Sequence, residues 1–199
     1  MPHFKTSSPF ALICALAPLA LAAPAAQADD PIAMRASAEH RLASARLNRP
    51  DGSDAGYVTL TETPNGVLIE AELTGLPAGE HGFHIHETGS CSPDFSTAGG
   101  HMTARLDNAE TADGESEAVH GFERAAGPHP GDMPNIHVPE SGALHIEVLN
   151  ARVSFESENA LFDADGSALI LHSGADDYET QPSGAAGERI ACGVIEREM

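Results

Sequence analysis

The chain is predicted to be an all-β domain, a sandwich or a barrel, that carries two long loops. Three observations support this fold class. Apolar residues alternate with polar ones along several short segments, turn sequences separate these segments, and no stretch has the pattern of a long amphipathic helix. Alternation with a period of two is typical of strands that bury one face.

Four segments alternate most clearly, and we predict a strand at each. Apolar residues recur at every second position in the sets Val58/Leu60, Val67/Ile69/Ala71/Leu73, Leu144/Ile146/Val148 and Ala151/Val153/Phe155. Segment 82–87 is a fifth strand, in which Phe83 and Ile85 are expected to enter the core while His84 and His86 project from the opposite face. Turn sequences rich in Pro, Asn, Asp and Gly separate the runs at 49–52, 64–66 and 164–166.

Two long stretches, 88–142 and 173–187, interrupt the strands. Structureless loops of this length in a domain are usually functional or disordered. The first contains His101, His120, His129 and Asp132. Because both have too few apolar residues to fold alone, we expect bound metal and a disulfide to order them.

Residues 1–28 are predicted to be a secretory signal peptide. A short polar start with Lys5 precedes an apolar stretch over 10–23, and Ala26-Gln27-Ala28 has the small-x-small pattern of a cleavage site. A membrane anchor is the alternative, but the apolar run contains Pro18 and is shorter than the roughly 20 residues of a spanning helix. We expect a flexible lead at 29–40, one folded domain at 41–199 and a periplasmic mature protein.

After residue 28 the chain is strongly acidic. Nine arginines and no lysine stand against 30 Asp and Glu, which gives a net charge of −21. This balance argues against nucleic acid and anionic membranes as partners, because both are bound through basic patches. An anionic substrate would have to be attracted by the local field of its site.

Two cysteines, Cys91 and Cys192, remain after removal of the signal. An even pair in an exported protein is typical of one disulfide, with two free thiols as the alternative. A bridge would close a loop of 101 residues (192 − 91). The chain-entropy model gives about 4–5 kcal/mol for a loop of that length.

Seven residues of metal-ligand type occur in short motifs. They are His84, His86, His101, His120, His129, Asp132 and His172. Imidazole is the commonest metal ligand among side chains, and both copper and zinc accept it. Because a transition-metal site is usually satisfied by about four ligands, seven indicate two neighbouring ions.

Five segments together resemble the copper/zinc superoxide dismutase family, in its bacterial secreted branch; they are 82–87, 98–101, 127–134, 172–177 and 187–195. The patterns H-x-H, H-x8-H-x2-D and G-x-R-x-x-C-G-V-I follow one another in the family's order. The resemblance implies an eight-stranded Greek-key β-barrel with the two loops forming an active site on its outside. It also implies an oxidoreductase that converts two superoxide anions to dioxygen and hydrogen peroxide by cycling copper between Cu(II) and Cu(I), beside a structural zinc.

The resemblance also implies roles for individual residues. Copper would be bound by His84, His86, His101 and His172, and zinc by His101, His120, His129 and Asp132. The shared His101 would also take part in catalysis. Asp176 would link His84 to His120, Arg189 would attract superoxide at the copper channel, and the two cysteines would form the disulfide.

One segment departs from the family pattern. His101 and His120 are 19 residues apart, a longer spacing than the family's, and 102–105 lacks the usual Asn-Pro or Asp-Pro. The inserted residues within 102–119 are acidic and poor in apolar side chains. We expect an exposed loop there, with its effect on zinc rather than on copper.

Other functions use the same residues. A periplasmic copper/zinc-binding protein with a dismutase-like fold and little activity is the main alternative. Loss of Arg189 or of a copper histidine would favour it, and neither is lost. A zinc hydrolase needs an open zinc position with a general base, which the predicted zinc set does not leave. His81, His137 and His145 are not expected to be ligands, and the superoxide-consuming protein is expected to be a monomer or a homodimer.

Overall fold

Alternating apolar side chains form strands at most of the predicted positions. The computed structural model describes residues 41–103, 119–157 and 159–198. Its strands are β1 (Leu42–Asn48), β2 (Asp54–Thr63), β3 (Gly66–Leu73), β4 (Gly79–His81), β5 (Phe83–His86), β6 (Ile136–Val138), β7 (Leu144–Asn150), β8 (Ala168–His172), β9 (Arg189–Val194) and β10 (Glu196–Arg197). A short 3-10 helix at Phe95–Ala98 is the only helix within these described ranges. The all-β class is confirmed.

The strands form one curled antiparallel sheet and a small second sheet. The large sheet has eight strands, in the order β5-β8-β9-β1-β2-β3-β7 with β10 paired to β1. The small sheet pairs β4 with β6. Because β4 leads into β5 and β6 leads into β7 along the chain, the small sheet connects the two ends of the large one. The neighbours β5-β8, β9-β1 and β3-β7 are not consecutive in the chain, as a Greek-key barrel requires.

The inward faces of the strands form one apolar core. Leu60 of β2 lies opposite Ile69 of β3, and both are completely buried. Phe83 and Ile85 of β5 belong to the same cluster, with Leu171 of β8. Burying a side chain of this size contributes about 1.5–3 kcal/mol. Since β5 turns these two residues inward, its two histidines must point to the outer face.

The strand predicted from Ala151, Val153 and Phe155 is not formed. β7 ends at Asn150, whose side-chain oxygen accepts a hydrogen bond from the Arg152 amide at 2.9 Å and turns the chain. Val153 and Phe155 are nevertheless buried in the core. The alternation therefore predicted burial correctly at Val153 and Phe155, wrongly at the exposed Ala151, and strand pairing wrongly, because an irregular segment can also bury alternate side chains.

The predicted disulfide is present. Cys91, in the first long loop, is bonded to Cys192 of β9, with 5.9 Å between their Cα atoms. The first loop is more ordered than predicted, since it contains the 3-10 helix and β6. The bond holds this loop against the strand that also carries Arg189.

Several predictions concern residues outside the described ranges. These are the signal peptide at 1–28, the lead at 29–40 and most of the insert at 102–119. Within the described part of the chain, no helix has the length and apolar character needed to cross a membrane.

Candidate metal centre

Four histidines converge on the outer face of β5. His84 and His86 lie on β5, and His172 is the last residue of the adjacent β8. His101 forms a single antiparallel bridge with His86. One side-chain nitrogen of each of the four lies within 4.8 Å of those of the others. All four residues are buried, with at most 4% of their surface exposed.

Each of these rings has one nitrogen that faces an oxygen of the protein. The pairs are His84 Nε2 with Asp176 Oδ2 at 2.9 Å, His86 Nδ1 with Gly99 O at 3.0 Å, His101 Nδ1 with Asp132 Oδ1 at 2.8 Å and His172 Nδ1 with Gly187 O at 3.4 Å. Oxygen partners of this kind orient an imidazole and select the nitrogen that carries the hydrogen. The second nitrogen of each ring then keeps its lone pair.

These second nitrogens are directed into one buried space. His84 Nδ1 and the Nε2 atoms of His86, His101 and His172 are buried and have no hydrogen-bond partner among the described residues. A buried polar atom without a partner costs about 1–3 kcal/mol. Four imidazole lone pairs that converge in this way suit a copper or zinc ion. The residues therefore fit the copper ion that the resemblance implies.

Burial keeps three of these imidazoles neutral. It lowers the pKa of His84 to about 4, although the hydrogen bond to Asp176 opposes the change. Burial also lowers the pKa of His172 to about 3 and that of His86 further, and the charge of Arg189 adds to both shifts. At neutral pH their lone pairs are therefore available to a metal.

His101 belongs also to a second group, with His120, His129 and Asp132. Asp132 Oδ1 lies 2.8 Å from His101 Nδ1, 3.0 Å from His120 Nδ1 and 3.7 Å from His129 Nδ1. Asp132 Oδ2 accepts hydrogen bonds from the backbone amides of Gly121 and His129, both at 2.9 Å. Three imidazole nitrogens and one carboxylate oxygen are a typical ligand set for four-coordinate zinc. His101 presents Nδ1 to this group and Nε2 to the first.

The second group contains side chains that are charged at neutral pH, whereas three histidines of the first group are neutral. Burial opposes protonation of His120, but its hydrogen bonds to Asp132 and Asp176 outweigh burial and raise its pKa to about 9. Burial likewise opposes ionisation of the two carboxyls, but hydrogen bonds from the histidines hold the pKa of both below the usual range. A metal that binds His120 Nδ1 at neutral pH must therefore displace a proton.

Asp176 links the two groups. Its Oδ2 accepts a hydrogen bond from His84 Nε2 and its Oδ1 one from His120 Nε2, both at 2.9 Å. Its own backbone is held by Asn135, which accepts from the Asp176 amide and donates to the Asp176 carbonyl, both at 2.8 Å. Gly184 packs so closely that a Cβ there would lie 1.8 Å from Asp176 Oδ1.

Arg189 lies beside the first group. It opens β9 opposite His172 in the β8–β9 pair, and its side chain is half-buried. Arg189 Nη1 donates to the carbonyl of Phe95 at 2.5 Å, and Nη2 donates to the carbonyl of Gly99 at 2.6 Å. The Gly99 carbonyl also accepts the hydrogen bond from His86 Nδ1. One peptide oxygen thus positions both the guanidinium and a predicted copper ligand.

The histidines that were not expected to be ligands lie outside both groups. His137 and His145 are exposed on β6 and β7. His81 is buried, with Nδ1 at 2.8 Å from the His172 carbonyl and Nε2 at 3.0 Å from the Pro77 carbonyl. It therefore supports the backbone of a predicted copper ligand, a role that its sequence position does not indicate.

The sequence also gave no sign of the residues that fasten the two long loops together. Asn135 contacts Asp176, as described above, and its backbone amide donates to Tyr178 Oη at 2.7 Å. Gln181 binds the backbone of His120. These residues belong to no motif, because their partners lie 41 or more positions away in the chain.

The fold and the site together define a β-barrel protein with two adjacent groups of candidate metal ligands that share one histidine. A family model described as copper/zinc superoxide dismutase matches residues 54–195. The chain is 44% identical over 157 residues to the superoxide dismutase [Cu-Zn] of Caulobacter vibrioides, a match that covers 77% of this chain and 84% of that protein. It is 43% identical over 148 residues to superoxide dismutase [Cu-Zn] 1 of Aquifex aeolicus, with 72% and 81% covered.

A solved structure agrees with these matches. The double mutant of a SOD-like protein from Bacillus subtilis has a TM-score of 0.68 and 37% sequence identity, and the match covers 76% of this chain and 95% of that one. The chain belongs to the copper/zinc superoxide dismutase family, as its motifs predicted.

Proposed function

We propose that this chain is a superoxide dismutase with one copper and one zinc site. Copper is bound by His84, His86, His101 and His172, and zinc by His101, His120, His129 and Asp132. The observation that carries the proposal is the pair of four-residue groups, each with ligand atoms within 4.8 Å of one another, that share His101. Copper and zinc are the cofactors of the family to which the chain belongs.

Copper, when bound, supplies the one-electron oxidation and reduction that convert two superoxide anions and two protons to dioxygen and hydrogen peroxide. His84, His86 and His172 lie on strands, which hold their nitrogens in place while the charge at the site changes. His120, His129 and Asp132 form a closed set with His101, which suits a structural zinc.

His101 is placed to move a proton as well as to bind. Its ring is almost completely buried, with Nδ1 toward the zinc group and Nε2 toward the copper group. While it holds no copper, Nε2 could carry one of the two protons that the reduced substrate takes up. The ring would be kept from turning during this transfer by zinc held by Nδ1 and Asp132, which lie 2.8 Å apart.

Arg189 attracts and orients the anionic substrate. Its guanidinium is held by two carbonyls, so its remaining N–H groups keep a constant direction. Because the mature chain carries a net charge of −21, the attraction must come from this local positive charge.

The same proposal includes export and partners. Residues 1–28 are a signal peptide, 29–40 an N-terminal lead and 41–199 the dismutase domain, so that the mature protein is periplasmic. The disulfide supports this location, because such bonds persist in oxidising compartments. Superoxide is the only small-molecule substrate proposed, with no nucleic acid or membrane partner, and the protein acts as a monomer or homodimer.

The test is superoxide consumption by the mature protein loaded with one copper and one zinc. A His84→Ala/His86→Ala variant is the control, because it loses two copper ligands from one strand. Fast turnover in the wild type that the variant lacks is the expected result. Metal binding without turnover in the wild type would contradict the proposal and favour a copper/zinc-binding protein with little activity.

A further inference from the structure

The side chain of Gln181, in the second loop, binds the backbone of His120, in the first. Gln181 Oε1 accepts a hydrogen bond from the His120 amide at 2.9 Å, and Gln181 Nε2 donates to the His120 carbonyl at 2.8 Å. The same Nε2 also donates to the Glu179 carbonyl at 3.0 Å. The oxygen and both hydrogens of the amide are therefore used, which fixes its orientation.

These two bonds account for both backbone groups of His120. Within the described ranges, neither its N–H nor its carbonyl has a second hydrogen-bond partner. The shared ligand His101 is 19 residues away in the chain, so connectivity restrains His120 only weakly. Contacts of Asp132 with the His120 ring and with the Gly121 amide, together with contacts from the second loop, therefore hold His120 in place.

The second loop grips His120 at two points. Asp176 holds the ring at Nε2, 2.9 Å away, while Gln181 holds the backbone. A ring held only at its two nitrogens, by Asp176 at Nε2 and by Asp132 at Nδ1, can still shift together with its backbone. A second point of attachment, on the backbone, removes this freedom and sets where Nδ1 lies.

We propose that Gln181 is a positioning residue for the zinc site, through its paired hydrogen bonds to the backbone of His120. The inference rests on the zinc site proposed above. Gln181 sets the distance of His120 Nδ1 from Asp132 Oδ1, which is 3.0 Å. Its side-chain hydrogen bonds within the described residues go to His120 and Glu179, and to none of the three proposed ligands of copper alone.

Gln181 can be substituted without disturbing the apolar core. Gln181 is exposed, whereas the His120 ring is completely buried. When the amide is removed, water can reach the freed backbone groups, so the folded state loses little. Zinc retention should therefore change much more than the thermal midpoint.

The experiment measures zinc release from the mature copper- and zinc-loaded protein to a chromogenic chelator. Gln181→Ala is expected to bind zinc 10- to 100-fold more weakly, the usual effect of losing a residue that supports a metal ligand. Gln181→Glu should be intermediate, because it can accept from the His120 amide but cannot donate to the carbonyl. Ser183→Ala is the matched control, since this nearby side chain makes no hydrogen bond within the described residues.

A second measurement separates positioning from loosening of the fold. Co(II) placed in the zinc position reports ligand geometry through its visible absorption bands, which Gln181→Ala should shift and Ser183→Ala should not. Wild-type zinc release together with wild-type Co(II) bands in Gln181→Ala would overturn the proposal. Failure of the zinc site itself would look different, because the wild type would then retain no zinc, or His120→Ala would retain as much as the wild type.

Discussion

At the scale of single residues, the site depends on which ring nitrogen each histidine directs inward. His84 presents Nδ1 because Asp176 occupies its Nε2, whereas His86 presents Nε2 because the Gly99 carbonyl occupies its Nδ1. Asp176 also occupies Nε2 of His120. One carboxylate therefore orients a ring in each metal group.

Gly184 leaves the space that Asp176 needs. In Gly184→Ala the new Cβ would lie 1.8 Å from Asp176 Oδ1 and 2.7 Å from His120 Nε2, so the carboxylate must move. We expect zinc affinity to fall by about 10–100-fold, as for other residues that orient metal ligands. Zinc content after a chelator challenge measures the effect.

Gly52→Ala is the matched control for this substitution. Gly52 also has a positive φ, +81° against +66° at Gly184, but a Cβ there meets nothing within 4 Å. Both variants carry a similar backbone strain of about 1–2 kcal/mol. Equal zinc loss in both would show that strain, rather than contact with Asp176, is responsible.

The charge of Arg189 should govern how the rate responds to salt. Added salt is expected to slow the wild type, because it screens the attraction between the guanidinium and superoxide. Arg189→Glu should be slower and should speed up with salt, since the local field then repels the substrate. Turnover over a range of ionic strength measures both effects.

Arg46→Glu makes the same change in net charge at a residue that belongs to neither metal group. Arg46 lies on β1, 65% of its side chain is exposed, and its partner is Asp54 at 2.9 Å. This variant should keep the wild-type salt response. If it slows the enzyme as much as Arg189→Glu does, the net charge rather than the local field controls the substrate's approach.

At the scale of elements, the strands were predictable wherever a core face repeats every second residue. β3 is the clearest case, because Val67, Ile69 and Ala71 are completely buried and alternate with partly exposed neighbours. The same pattern failed at 151–155, where Asn150 turns the chain and the burial comes from an irregular segment. Periodicity indicates which face of a segment is buried. It does not indicate whether the backbone of that segment is hydrogen-bonded to a neighbouring strand.

The disulfide should contribute to stability and to the position of Arg189. It closes a separation of 101 residues, and its removal in Cys91→Ala/Cys192→Ala is expected to cost about 2–5 kcal/mol of unfolding free energy. The carbonyls of Phe95 and Gly99, which hold Arg189, follow Cys91 in the same loop. Denaturant unfolding measures the first effect, and a weaker salt dependence of turnover measures the second.

A second experiment tests the same two effects of the disulfide on stability and on the position of Arg189. Reduction of the wild-type bond should reproduce both, because it frees the same loop without changing a side chain's size. An unfolding free energy that is unchanged by the double substitution would contradict the expected stabilisation.

At the scale of the whole molecule, metal binding and protonation are coupled. The pKa of His120 is raised to about 9, so this residue carries a proton at neutral pH that zinc must displace. We expect zinc affinity to rise about tenfold per pH unit between pH 7 and 9 and to gain less above pH 9, as this proton is lost beforehand. Titration calorimetry of the chelator-treated protein in buffers of different ionisation enthalpy counts the proton.

Copper affinity should not show this rise between pH 7 and 9. The pKa of His84 is lowered to about 4 and that of His172 to about 3, so these ligands have no proton to lose at pH 7.

A zinc affinity that does not change between pH 7 and 9 would contradict the assignment of His120 as a protonated ligand.

The strand pattern, the ligand residue types and the cysteine pair can be read from the sequence alone, because each depends on local periodicity or on side-chain chemistry. The assembly of the site cannot. His84, His120 and Asp176 come from distant parts of the chain and meet only when β5 and the two loops are in place. The supporting contacts of Asn135, Gln181 and Gly184 also cannot be predicted from the sequence. Amide and glycine residues are common in loops, and these three acquire their roles only because the fold places them beside Asp176 and His120.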